Sequence, residues 1–266
     1  MFELTRTVRF CINLSRARPS RDVRHNTFAA FPSMDGIGVY YEIEVNCRGE
    51  PDPTTGYVMN ISAIDEAVRD RAIPLIRRVV LEQPDQEPSV VLAETMRAIQ
   101  ESLDSSVSSI RWRLSPYYSL SMKADTMDRF LISQQFDFAA AHRLHSPTLD
   151  EQGNQETFGK CNNPNGHGHN YRLQVDASTS LIDNLDGLRL DLAGLERIVN
   201  EQVIQRFDHT HLNLDTPEFA TLNPSVEHIA KVCHDLLLQP IDRIGGRLER
   251  VTIWETDRTS CSYPVP

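Results

Sequence analysis

Residues 169–192, HNYRLQVDASTSLIDNLDGLRLDL, carry apolar side chains two apart (Tyr171, Leu173, Val175), then a turn region rich in Asp, Asn and Gly, then a second apolar pickup. Period-two alternation buries one face of a strand, and the Asp and Gly cluster closes it. Residues 39–61, VYYEIEVNCRGEPDPTTGYVMNI, run the same course. Tyr41 matches Tyr171, Val45 matches Val175, Gly56 matches Gly187 and Asn60 matches Asp191. Further on, Pro88-Ser89-Val90 matches Pro224-Ser225-Val226, each proline standing where a helix can begin. Each half therefore reads strand, strand, helix, helix, strand, strand. In the second half these elements are expected at about 128–141, 169–178, 191–206, 225–238, 248–256 and 260–264. The expected class is α+β with antiparallel sheets. Leu192, Leu195, Ile198, Val199 and Val203 recur at helical spacing, so one helix face packs on the sheet. A meander of this kind leaves sheet edges open, which favours oligomers.

The 266 residues, 40% hydrophobic and 24% charged, have the composition of a soluble globular protein. No run approaches the roughly 18 apolar residues of a membrane-spanning helix, and the first residues lack the apolar core of a secretory signal, so a cytoplasmic protein without membrane partners is expected. Arg6, Arg9, Arg16, Arg18, Arg21 and Arg24 resemble a transit peptide in composition, yet they interrupt the strand pattern Val8, Phe10, Ile12. Cys11, Cys47, Cys161, Cys233 and Cys261 are odd in number and form no C-x-x-C pair, which argues for free thiols rather than a disulfide framework. A net charge of −10 leaves neither half the basic face that nucleic-acid binding usually needs.

Chemistry concentrates in the stretch Cys161-Asn162-Asn163-Pro164-Asn165-Gly166-His167-Gly168-His169-Asn170-Tyr171. Two residues apart on a strand, His167 and His169 project from one face and can bind one metal. His142, closing the run Phe136-Asp137-Phe138-Ala139-Ala140-Ala141, is placed to supply a third imidazole. Three imidazoles with an open position describe a catalytic zinc site, whereas structural zinc fills all four positions and prefers thiolates. The alternative, ordinary surface or core histidines, is weakened by Cys161 upstream, Asp208-His209 downstream and Glu255 in the strand Trp254-Glu255-Thr256.

In that order these segments resemble the 6-pyruvoyltetrahydropterin synthase family, over residues 128–266. The resemblance implies the tunnelling fold, here two tandem ββααββ units with antiparallel sheets: residues 1–123 a degenerate, non-catalytic synthase-like repeat, and residues 124–266 the catalytic zinc-dependent domain. It implies Zn2+ on His142, His167 and His169, polarising the side-chain hydroxyls of a pterin triphosphate, 7,8-dihydroneopterin triphosphate. Cys161 resembles the general base at a side-chain carbon, with Asp208 and His209 as its relay. Glu255 resembles the carboxylate that grips the amino-pyrimidine edge, and Glu227 either assists there or is a first-turn acid favoured by the helix dipole. Lys160 and Arg143 flank the site and could meet the triphosphate or simply be solvated. His145 and His211 match no required role, and His228 and His234 fit an amphipathic helix.

In the first half, Leu14, Ile37 and Val39 stand where the second has His142, His167 and His169, and Glu255 finds its counterpart near Leu114. The resemblance further implies a homo-oligomer, three two-unit chains supplying six units. The reaction implied is a carbon–oxygen lyase conversion to 6-pyruvoyltetrahydropterin with loss of triphosphate. The alternatives are a 6-carboxytetrahydropterin synthase, feeding deazapurine (queuosine) nucleosides with release of acetaldehyde, and a non-enzymatic zinc-binding scaffold. Five residues between Cys161 and His167 favour the pyruvoyl branch, since the carboxy-forming pattern is typically C-x3-HGH.

Overall fold

A computed structural model describes residues 1–14, 28–103, 106–181 and 187–265. Arg16, Arg18, Arg21 and Arg24, weighed above as a transit segment, lie outside the described residues. The chain divides into two compact units: Met1–Ile132 with Ser180–Leu188, and Ser133–Thr179 with Arg189–Pro266.

The first unit runs β1 (Phe2–Asn13), β2 (Gly38–Gly49), α1 (Ile61–Ala67), a π turn (Val68–Ala72), α2 (Ile73–Glu82), α3 (Pro88–Leu103), β3 (Val107–Ser115) and β4 (Tyr118–Lys123). The strands pair antiparallel in the order β1-β2-β3-β4. Alternation decides which face is buried: Val8, Phe10, Ile12, Ile43, Val45 and Cys47 are at most 1% exposed, and they share the core with Ile64, Val68, Ile76, Leu92 and Met96 of the helices. Each such aliphatic side chain contributes about 1.5–3 kcal/mol on burial.

The second unit runs β5 (Thr126–His142, its first residues counted with the first unit), α4 (Glu151–Phe158), a 3-10 turn (Gly159–Asn162), β6 (His167–Ser180), α5 (Leu192–Val199), a π turn (Asn200–Ile204), α6 (Gln205–Phe207), β7 (Thr210–His211), α7 (Leu212–Asp215), a 3-10 turn (Pro217–Phe219), α8 (Val226–Arg243), β8 (Gly246–Thr256) and β9 (Thr259–Tyr263). Strand order is β5-β6-β8-β9; β6/β8 and β8/β9 pair antiparallel as expected, and β7 pairs parallel with β5 through Ala140 and Thr210. Tyr171, Leu173, Val175, Val251 and Ile253 form the buried sheet face, and α8 covers it with Ile229, Ala230, Cys233, Leu237 and Ile241.

Two sequence expectations need correction. Helix α8 does not stop near residue 238 but continues through Pro240 to Arg243, because fully buried Ile241 anchors its last turn in the core. Helix α4 was not expected at all. It has no apolar stripe to read, and its one buried residue is Asn154, whose side chain accepts from Ser146 N–H and donates to the carbonyls of Ser146, Leu149 and Asp150. Asp150 caps it by accepting from Gly153 N–H at 2.7 Å.

The two units share more than element order. With Tyr41 set against Tyr171, Glu42 faces Arg113 as Arg172 faces Trp254, which puts Leu114 at the place of Glu255. The β2/β3 register slips between Asn46 and Cys47 and the β6/β8 register between Asp176 and Ala177, the matching step. The next ladders slip between Arg113 and Ser115 and between Trp254 and Thr256, again at matching positions. Asn60 caps α1 and Asp191 caps α5, and both helices pass into a five-residue π turn. Such bulges re-aim strands and disturb ladders, and here they recur at matched positions of the two units.

Candidate metal centre and active site

Strand β5 buries alternate residues, Phe138, Ala140 and His142, so the period-two pattern carries the imidazole of His142 to the interior, where it is 0% exposed. Its Nδ1 lies 2.7 Å from the Pro224 carbonyl oxygen, which makes Nδ1–H the donor and leaves the Nε2 lone pair free; the Tyr171 hydroxyl lies 3.4 Å from the same Nδ1. On β6, His167 and His169 share a face with buried Tyr171. His142 Nε2 and His167 Nε2 are 3.2 Å apart, and one ligand nitrogen from each of the three histidines lies within 4.8 Å of the others. Among the described residues no other group of three or more His, Cys, Asp or Glu meets that condition.

The donor set fits a metal ion. His169 Nε2 and His167 Nδ1 are buried without a hydrogen-bond partner, an arrangement that costs free energy unless something accepts their lone pairs or protons. Burial holds the His142 pKa down to about 4, and burial followed by the neighbouring His169 charge lowers that of His167. Neutral imidazole is the ligating form. A carboxylate completes the cluster: Glu255 Oε1 sits 3.5 Å from His142 Nε2 and 3.7 Å from His169 Nε2. Glu255 is thus beside the triad; Glu227 is on the first turn of α8, its pKa lowered chiefly by a hydrogen bond from the Ser225 side chain.

Asp208 and His209 form a fixed pair. Asp208 Oδ1 accepts from Ala139 N–H at 2.8 Å and Oδ2 lies 2.8 Å from His209 Nδ1, contacts that hold the Asp208 pKa below the usual carboxylate range. His209 adopts the left-handed backbone (φ 59°) and donates its own N–H to Ala139 O, so strand β5 pins the dyad while the His209 side chain stays 83% exposed. An open cleft of about 510 Å³ runs past Ala139–Ala141, Gly168–Asn170 and His209–His211. Cys161 stands partly buried on the 3-10 turn, and among the described residues its thiol makes no hydrogen bond to Asp208 or His209.

Sequence reasoning missed three supports. The Pro224 carbonyl sets the His142 tautomer but carries no side-chain signal. His211, set aside above, presses its Nε2 where a Cβ on Gly166 would lie 2.6 Å away. Asn213 binds both the N–H and the carbonyl of Arg143, locking the residue after His142. In the first unit, Leu14 and Ile37 are exposed and Val39 partly so, and among the described residues no imidazole replaces them.

The family profile described as 6-pyruvoyl tetrahydropterin synthase matches residues 131–265, a span that holds every side chain of the cluster. The chain belongs to that family. Within it, the chain is 38% identical over 132 residues to a human 6-pyruvoyl tetrahydrobiopterin synthase, covering 50% of this chain and 89% of that protein. It is 28% identical over 153 residues to a 6-carboxy-5,6,7,8-tetrahydropterin synthase of Haemophilus influenzae, covering 50% of this chain and 98% of that one. A solved Caenorhabditis elegans 6-pyruvoyl tetrahydropterin synthase is 34% identical over 51% of this chain and 94% of its own, with a TM-score of 0.44. All of these relatives align with about half of the chain.

Proposed function

We propose that residues 124–266 convert 7,8-dihydroneopterin triphosphate to 6-pyruvoyltetrahydropterin with loss of triphosphate, using one zinc ion on His142, His167 and His169. The observation that carries this reading is the convergence of three imidazoles with an adjacent carboxylate inside the family span. Zinc held there supplies Lewis acidity toward the substrate's side-chain hydroxyls. Cys161 removes a side-chain carbon proton, and Asp208 orients His209 by its contact to Nδ1, leaving Nε2 to relay that proton. The exposure of His209 suits a site completed by a neighbouring copy of the chain, in a homo-oligomer of three two-unit chains; β1 and β9 each have one strand partner among the described residues, leaving an edge for pairing. Glu255, beside the triad, grips the amino-pyrimidine edge of the pterin, and Glu227 assists there. Residues 1–123 act as a degenerate tunnelling-fold repeat without chemistry of their own, a reading supported by the matched register slips and by Leu14, Ile37 and Leu114 at the chemical positions.

The test is incubation of purified, zinc-loaded protein with 7,8-dihydroneopterin triphosphate and identification of products by mass. 6-Pyruvoyltetrahydropterin with free triphosphate is expected. Stoichiometric acetaldehyde with a 6-carboxy pterin would move the chain to the carboxy-forming branch, and no turnover by zinc-loaded protein would favour the scaffold.

A further inference from the structure

Arg143 follows the buried ligand His142 and flanks Cys161, a place where a guanidinium could meet substrate phosphate. Its hydrogen bonds point inward instead. Nε–H is shared between the Asn162 carbonyl oxygen at 3.2 Å and Asn162 Oδ1 at 3.1 Å. The neighbouring backbone closes the same cradle, with Leu144 N–H donating to the Cys161 carbonyl at 2.9 Å. His145 Nδ1 lies 3.0 Å from Asn162 Oδ1 and 3.3 Å from Arg143 Nη2; Nδ1 offers either a proton or a lone pair, so it serves one of them at a time and stays within the cradle in both forms. Asn162 is 5% exposed, and Arg143 is itself held through its backbone by Asn213. The 3-10 turn that bears Cys161 is therefore clamped, carbonyl by carbonyl, to the three residues that follow His142.

We propose that Arg143 is a positioning residue: through Asn162 it sets the Cys161 thiol relative to the metal-binding face, and it does not anchor the triphosphate. This rests on the assignment of Cys161 above. The donor to both Asn162 acceptors is Nε–H, one bond nearer the backbone than a lysine Nζ, and the rigid guanidinium plane carries Nη2 to His145 at the same time, so charge alone is insufficient at this position. A displacement of about 1 Å at a reacting group can cost on the order of 10²-fold in rate, which gives the clamp its leverage.

The experiment compares Arg143→Gln, Arg143→Lys, Asn162→Ala and the Arg143→Gln/Asn162→Ala double variant, each checked for unchanged far-ultraviolet circular dichroism and metal content. Positioning predicts that Gln and Lys variants alike lose kcat on the order of 10²-fold with KM within about threefold, and that the double variant is no worse than either single one. A phosphate anchor would give a raised KM, rescue by Lys and additive losses, and that pattern overturns the proposal. A second readout needs no turnover: peptide-resolved labelling of Cys161 by iodoacetamide should quicken at least about threefold in all three single variants, and equally in the double, as the turn is released. Unchanged labelling in all variants also overturns it. If the wild-type protein shows no turnover, the proposed activity has failed while the labelling series still decides the clamp.

Discussion

At the scale of single residues, the chemistry rests on His142 being buried and neutral. His169→Ala is expected to abolish stoichiometric zinc by elemental analysis, while Ile37→Ala and Val39→Ala leave it unchanged because no imidazole stands at those places. Cys161→Ala should keep its zinc and its affinity for a non-reactive pterin but lose about 10²–10⁴-fold in turnover, the usual cost of losing a general base. Acid supplies a separate check. In chelator-stripped protein the unfolded chain takes up a proton at the ordinary histidine pKa, whereas native His142 refuses it down to about 4. Folding stability contributed by this residue therefore falls as pH drops from about 6.5 to about 4 and levels off below, roughly 3 kcal/mol in all. Urea midpoints at pH 7.5 and 4.5 should separate more for the wild type than for His142→Gln, and equal separations would contradict the buried neutral imidazole.

At the scale of elements, the metal centre depends on how the chain turns into β6. Gly166 has φ 70°, and a Cβ there would lie 2.9 Å from the His142 backbone carbonyl as well as against His211. Neither a left-handed alanine nor a shift of the backbone next to a ligand is cheap. Gly166→Ala should weaken zinc affinity by on the order of tenfold in chelator competition, with the secondary structure kept. Affinity equal to wild type would mean that this turn does not set the histidine geometry. The same scale explains what was legible in advance. Strands β5, β6 and β8 and helix α5 advertise themselves through alternation or three-and-four spacing of Tyr171, Leu173, Val175, Leu195 and Ile198. Helix α4 does not, because polar contacts of Asn154 rather than an apolar face hold it.

At the scale of the whole molecule, three two-unit chains should run in light scattering at about 90 kDa, three times the 30.2 kDa of one chain, and a monodisperse 30.2 kDa species with full turnover would refute both the assembly and the need for a neighbouring copy. The prediction belongs at this level because His209 is exposed and, among the described residues, no hydrogen bond joins the Asp208-His209 dyad to the thiol of Cys161 within one chain.

By itself the sequence determined the class of elements and singled out the three histidines that the fold brings together, because periodicity and two-residue spacing are local properties that need no third dimension. Tyr41 and Tyr171 could be matched from letters alone, and the bulges later fell at matched steps. Tertiary structure alone decided the rest. It showed that Glu255 lies beside the triad, that a proline carbonyl selects the His142 tautomer, and that Arg143 directs its Nε–H to Asn162. Each of these depends on residues many positions apart meeting at hydrogen-bond distance, and a backbone carbonyl offers the same group whatever the side chain, so composition and spacing carry no trace of it.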